Sequence, residues 1–193
     1  PANEKFVHNE FGVNYKFGKL GLNASAYNTD WQDRNLTKSV TTGQGDSGDT
    51  DVIFLTGVNQ KHSGVELETN YMVNDMLDLM FVASFGNWKF DGDANGNYQE
   101  TEYNSEGQAV GYTTTEYAYA LDGLYVGDMP QTSYVLGVTL KPIKDLSIQA
   151  IHKMYDKNYS DWSPSAREFD GTNDDADRSQ DWEAPNYNRL DLH

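Results

Sequence analysis

The sequence contains no cysteine, which removes disulfide frameworks, thiolate metal sites and cysteine nucleophiles together. It is also poor in cations: 14 Lys and Arg stand against 30 Asp and Glu, a formal charge of −16. Phosphate contacts need Lys and Arg, so nucleic acid is excluded as a partner. Long apolar runs are missing as well. The longest is 79–83, far short of the roughly 20 residues that a transmembrane helix needs. The histidines His8, His62, His152 and His193 are scattered and form no close metal-ligand pair. The chain opens at Pro1, with neither Met nor signal peptide, and is expected to be a piece of something longer.

What is present is aromatic and alternating. Tyr 13, Phe 8 and Trp 4 argue against disorder despite the charge. Phe11, Val13, Tyr15 and Phe17 alternate with Gly12, Asn14 and Lys16, and Leu20, Leu22, Ala24 and Ala26 with Gly21, Asn23 and Ser25. The same period of two runs through Val65, Leu67 and Tyr71, through Leu77, Leu79, Phe81, Ala83 and Phe85, and through Tyr134, Leu136, Val138 and Leu140. The interleaved residues are mostly Gly, Ser, Asn and Thr. A soluble sandwich turns its polar face to bulk water, where Lys and Glu abound. Small polar residues suit the inside of a wide, wet barrel whose apolar face meets lipid.

Connections point the same way. Tight turns at Gly18-Lys19, Asn74-Asp75 and Ile143-Lys144 alternate with long segments at 35–51, 91–129 and 156–185, the layout of an outer-membrane barrel. The long segments hold 20 of the 30 acidic residues, and 91–129 has no Lys or Arg, whereas Lys16, Lys19, Lys141 and Lys144 flank the tight turns. Aromatics are expected to form two interface bands, Tyr15, Phe17 and Tyr71 at the turn end and Trp31, Phe85, Trp88, Phe90 and Tyr134 at the other. Seven strands are predicted, near 5–17, 20–34, 52–72, 77–90, 130–141, 146–155 and 186–193. An odd number with both edges unpaired cannot close by itself, so 1–193 is expected to be part of a barrel.

Several stretches then resemble TonB-dependent outer-membrane receptors, especially those of Bacteroidetes-type bacteria. Glu10, Gly12 and Tyr15 match a Glu-x-Gly-x-x-Tyr strand, which is followed by a tight turn and a second strand ending at Tyr27. His62-Ser63-Gly64-Val65-Glu66-Leu67-Glu68 is similar to a later strand of the family, and Gly123-Leu124-Tyr125-Val126-Gly127-Asp128-Met129-Pro130-Gln131 to a segment that leads back into the barrel. Lys153-Met154-Tyr155-Asp156-Lys157-Asn158-Tyr159-Ser160-Asp161 resembles the start of a late extracellular loop, and Leu190-Asp191-Leu192 the next descending strand. The resemblance spans nearly the whole chain. It implies an all-β, antiparallel, up-and-down transmembrane fragment of a 22-strand barrel in the bacterial outer membrane, lacking its N-terminal plug and final strands. It further implies a transporter, not an enzyme. TonB would act through the missing N-terminal region to drive uptake of a nutrient of siderophore, cobalamin or glycan class.

Asp91, Asp93, Asn95, Gly96, Asn97 and Glu102 fit the spacing of a calcium loop, with Asp, Asn and Glu oxygens as ligands and Gly96 at the sharp turn. An Asx-type hairpin turn explains the same composition. Tyr155, Tyr159 and Trp162 are candidates for stacking on a ligand, or for an interface girdle. Gly45-Asp46-Ser47-Gly48 copies a serine-protease nucleophile sequence, but no histidine has a base context, and a loop tip is expected. The sequons at Asn23, Asn35 and Asn158 carry no meaning in a bacterial outer-membrane protein. On the residues alone, two rivals stay open: a secreted carbohydrate-binding β-sandwich, with or without calcium, and a passive porin.

Overall fold

The alternating segments become one antiparallel sheet in a computed structural model, which describes residues 3–42, 49–164, 167–169 and 176–193. In chain order the strands are β1 (Lys5–Phe17), β2 (Leu20–Thr42), β3 (Asp49–Asn74), β4 (Leu77–Phe90), β5 (Ala94–Tyr103), β6 (Ala109–Tyr119), β7 (Pro130–Ile143), β8 (Leu146–Tyr159), β9 (Glu168–Phe169), β10 (Glu183–Ala184) and β11 (Tyr187–Leu192). The wall runs β1, β2, β3, β4, β7, β8, β11, each paired to the next. Among the described residues β1 pairs with β2 alone and β11 with β8 alone, so the sheet stays open at both ends.

Register decides which residues share a face. One row crosses six strands as Val13, Ala24, Leu67, Ala83, Tyr134 and Met154, each directly opposite the next. The next row on one side adds Phe11, Ala26, Val65 and Phe85, and the second row on the other side adds Phe17, Leu20, Tyr71, Leu79 and Val138. This outer face is uncovered: Phe11 is 74% exposed and Phe17 71%. In water so large an apolar patch would drive association; hydrocarbon is the solvent in which it is stable. Along β4 the apolar face runs from Leu77 to Phe85, about 27 Å of strand at ~3.4 Å per residue, or roughly 20 Å of height after the usual barrel tilt. The reverse face presents Gly12, Ser25, Glu66, Ser84 and Ser133 in one row and Asn14, Asn23, Glu68, Val82 and Val135 in the next.

The predicted ends of β1, β4, β7 and β8 lie within a few residues of those found, but the long segments are not bare loops. A spanning strand needs only about 9–11 residues. With 23 and 26 residues, β2 and β3 therefore continue well past the belt, so most of 35–51 is strand. Bulges next to Asp33 (φ 56°) and a left-handed Gly57 (φ 68°) re-aim the extension. There β3 changes partner: residues 60–74 pair with β4, and 52–56 with β5. The segment 91–129, expected as a loop, holds the hairpin of β5 and β6. Ile53, Leu55, Val58, Phe90, Ala94, Tyr119, Leu121, Leu124 and Trp162 form a buried core above the membrane belt.

Gln131 joins this outer part to the wall. β4 pairs with β7 as far as Phe85 opposite Thr132, and beyond that with 124–126, where Phe90 N donates to Leu124 O and Val126 N to Trp88 O. In the gap, the buried Gln131 amide accepts from Trp88 N at 2.9 Å and donates to the carbonyls of Trp88 and Val126. Its side chain does there what a peptide group would do in an unbroken ladder.

Candidate functional site

The inner face carries a closed ring of side chains just above the belt, contributed by β1 to β4. Phe6 stacks on His8 at 6.3 Å between centroids, and His8 on Tyr27 at 6.3 Å. Trp88 Nε1 donates to Tyr27 Oη at 2.8 Å, and the Trp88 ring stacks on His62 at 5.6 Å. His62 Nε2 lies 3.1 Å from Gln60 Oε1, which also accepts from Arg34 Nη1 at 2.6 Å. The Arg34 guanidinium sits 3.7 Å over Trp31, whose ring meets Phe6 edge-on at 5.6 Å. Buried Thr29 bonds His8 Nδ1 at 2.7 Å from within the ring. The set offers aromatic faces, imidazoles and a cation along one wall.

Local sequence makes room for it. A Cβ at Gly64 would come within 2.5 Å of Tyr27 Oη, and one at Gly86 within 2.8 Å of Trp88 Nε1. Both rings therefore lie flat on β3 and β4 because those two strands carry no side chain there. Lower on the inner face, Glu10, Glu66 and Glu68, with Asn14 and Asn23, line a concavity of about 400 Å³. Further round the wall, Tyr155 stacks on Tyr187 at 4.9 Å.

This placement corrects the expected outer aromatic band. Phe85 and Tyr134 do face outward, meeting edge-on at 5.5 Å. Trp31, Trp88 and Phe90 lie on the inner side, because they fall on the opposite strand parity to the lipid-facing rows, as Trp88 does to Phe85. That parity is legible in the sequence and marks Phe6, His8, Tyr27, Trp31, His62 and Trp88 as inward-facing, whereas Arg34 has the other parity and joins the ring through the bulge beside Asp33, which no sequence period announces.

Of the three aromatics suggested for ligand stacking, only Tyr155 belongs to the inner wall. Tyr159 is 7% exposed and stacks on Tyr125 at 4.6 Å. Trp162 is 5% exposed and packs against Phe90 and Tyr119, with the Lys38 ammonium 4.6 Å over its ring. Both are buried among other aromatic rings.

Nor do the five calcium-loop positions converge. Asp91 pairs with Lys61 at 2.8 Å. Asp93 takes Arg178 in a bidentate contact at 2.9 and 2.7 Å, and accepts from the backbone N–H groups of Leu121 and Asp122. The Arg178 contact, helped by the Asp122 and Leu121 amides against partial burial, holds the Asp93 carboxyl below the usual carboxylate range. Asn95 and Asn97 lie in β5 opposite Thr56 and Phe54, and Glu102 accepts from the Thr113 hydroxyl. An extended strand cannot wrap twelve consecutive residues around one ion. Among the described residues, no group of three His, Cys, Asp or Glu could hold a metal. The Gly45-Asp46-Ser47-Gly48 stretch lies outside the described residues.

Neither the curated proteins nor the solved structures contain a match to the chain. A family model described as the TonB dependent receptor-like β-barrel matches residues 4–193. That match, on a sheet with a lipid belt outside and a polar wall inside, shows that the chain belongs to the TonB-dependent receptor β-barrel family of the outer membrane.

Proposed function

We propose that this wall lines the outer half of a TonB-energised import path, and that the ring of Phe6, His8, Tyr27, Trp31, Arg34, His62 and Trp88 meets the nutrient. Among siderophore, cobalamin and glycan, a glycan fits best. The ring is the observation that supports this reading. A sugar offers C–H faces to aromatic planes and hydroxyls to groups such as Gln60, Arg34 and the imidazoles, and the ring supplies both within one wall. Charge agrees. The outer segments carry most of the acidic residues, which repel anionic cargo and leave a neutral one unaffected. Contact with TonB is assigned to a part of the receptor outside these residues.

The test is calorimetry on the full-length receptor in detergent, titrated with neutral oligosaccharides, a ferric siderophore and cobalamin. Saturable oligosaccharide binding, weakened at least tenfold in both Trp88→Ala and Arg34→Ala, is expected. Saturable binding of cobalamin or the siderophore instead, still weakened by those substitutions, would keep the ring and change the cargo. Binding indifferent to both would remove the ring from the path.

A further inference from the structure

The lipid-facing side of the wall is not flat. Along its top apolar row Phe11, Ala26, Val65 and Phe85 stand side by side, and two rows of the same face carry Ala26 and Ala24 on β2 between bulkier neighbours. Both alanines point to the same side, because they lie two apart on one strand. The small residues therefore line up along β2 and leave a notch of about 420 Å³, walled by Phe11 and Val13 on one flank and by Val65 and Phe85 on the other. A belt needs apolar surface to sit in hydrocarbon, but it needs no groove.

Directly above the notch the outer face turns polar. Asn9, Asn28, Ser63 and Asn87 occupy the next row, each opposite the next, on the same face as Phe11, Ala26, Val65 and Phe85. Among the described residues, none of these four side chains has a hydrogen-bond partner. Three amides and a hydroxyl thus face outward at the height where hydrocarbon gives way to headgroups. The cations one row higher are engaged elsewhere: Lys61 pairs with Asp91 at 2.8 Å, and Lys89 sits 4.5 Å over the Tyr125 ring. The amide row is what meets a headgroup.

We propose that the notch seats one acyl chain of a phospholipid, with the lipid phosphate on the row of Asn9, Asn28, Ser63 and Asn87. The position of the notch names its occupant. It is cut into the face that hydrocarbon covers, continuous with the belt, and its upper end opens at Asn28. Ala24 to Asn28 is about 14 Å of strand at ~3.4 Å per residue, so a chain lying over the two alanines carries its phosphate up to the donors. Phosphate oxygens accept hydrogen bonds, and the amide N–H groups and the Ser63 hydroxyl donate them.

Native mass spectrometry of the full-length receptor, incubated in detergent with phosphatidylglycerol, counts the lipids that it retains. The count is expected to fall by one in Ala26→Phe, which fills the notch with a side chain that the same row carries at Phe11 and Phe85. A second measurement needs no variant. Diacylglycerol with the same acyl chains lacks the phosphate and should displace the retained lipid at least tenfold less well than phosphatidylglycerol does. An unchanged count in Ala26→Phe would mean that only ordinary surrounding lipid is held. Equal displacement by diacylglycerol would mean that the amide row reads no phosphate. Either result overturns the proposal, and so would a receptor dimer that Ala26→Phe separates, since a second copy would then fill the notch.

Discussion

Trp88 on β4 reaches across β3 to Tyr27 on β2, its indole N–H donating to the phenol at 2.8 Å. A side-chain bond that skips a strand needs the strand between to be bare, and Gly64 is the residue between. The His-x-Gly-Val-Glu stretch thus has a packing reason inside this chain: a methyl group at Gly64 would collide with the Tyr27 ring and with Phe85 O at 2.7 Å.

Gly64→Ala is therefore expected to lower stability by about 1–3 kcal/mol, the usual range for overpacking. Thermal unfolding of the detergent-solubilised receptor measures this. Adding Tyr27→Ala should recover part of the loss but not all, because the Phe85 carbonyl remains in the way. An unchanged melting point in Gly64→Ala would mean that the ring does not rest on β3.

Belt and lumen respond differently to charge. Leu136 is opposite Phe81, midway along the apolar face, so Leu136→Arg should destabilise the inserted state by about 2–4 kcal/mol. Ser84→Arg, on the inner face of the same wall, should cost far less. Urea titrations of refolding into vesicles compare the two; equal costs would mean that both faces see the same solvent.

The contact of Asp93 with Arg178 ties the base of the β5 and β6 hairpin to the segment after 176. The Asp93 pKa is depressed in the folded protein, so its stabilisation is full above the ordinary carboxylate value of about 4 and disappears as pH falls through the lower folded value. Arg178 stays charged throughout. Hydrogen exchange at Leu121 and Asp122, whose amides donate to Asp93, should rise below that window beyond the rate expected from pH alone, and should already be raised at neutral pH in Asp93→Asn.

Calcium at 91–102 would require Asp93 to release Arg178, Asp91 to release Lys61, and β5 to leave its ladder. We expect calorimetry of the intact receptor to show no saturable Ca²⁺ heat above a magnesium control. A saturable isotherm abolished by Asp93→Ala would mean that the hairpin refolds around the ion.

The spanning wall was legible because a lipid-exposed strand must alternate strictly: every second residue from Phe11 to Phe17, or from Leu77 to Phe85, faces hydrocarbon. Outside the belt that pressure ends. In β5 and β6 both faces are wet for much of their length, so Asn97, Gln99, Glu100, Thr113 and Thr114 alternate nothing, and the hairpin reads as a loop. Tyr159 and Trp162 looked like exposed loop aromatics because their burying partners, Tyr125, Phe90 and Tyr119, are distant in sequence.

By itself, then, the sequence determined the strand class, the two faces of the wall and the membrane that the outer face requires, all of them consequences of local period and polarity. Tertiary structure alone decided that β3 trades β4 for β5 above the belt, that Asp93 spends its carboxylate on Arg178, and that Trp88 and Tyr27 close a ring over Gly64. Each depends on which strands lie side by side and in what register, and hydrogen bonds between residues far apart in the chain fix that register, with no period in the sequence to announce it.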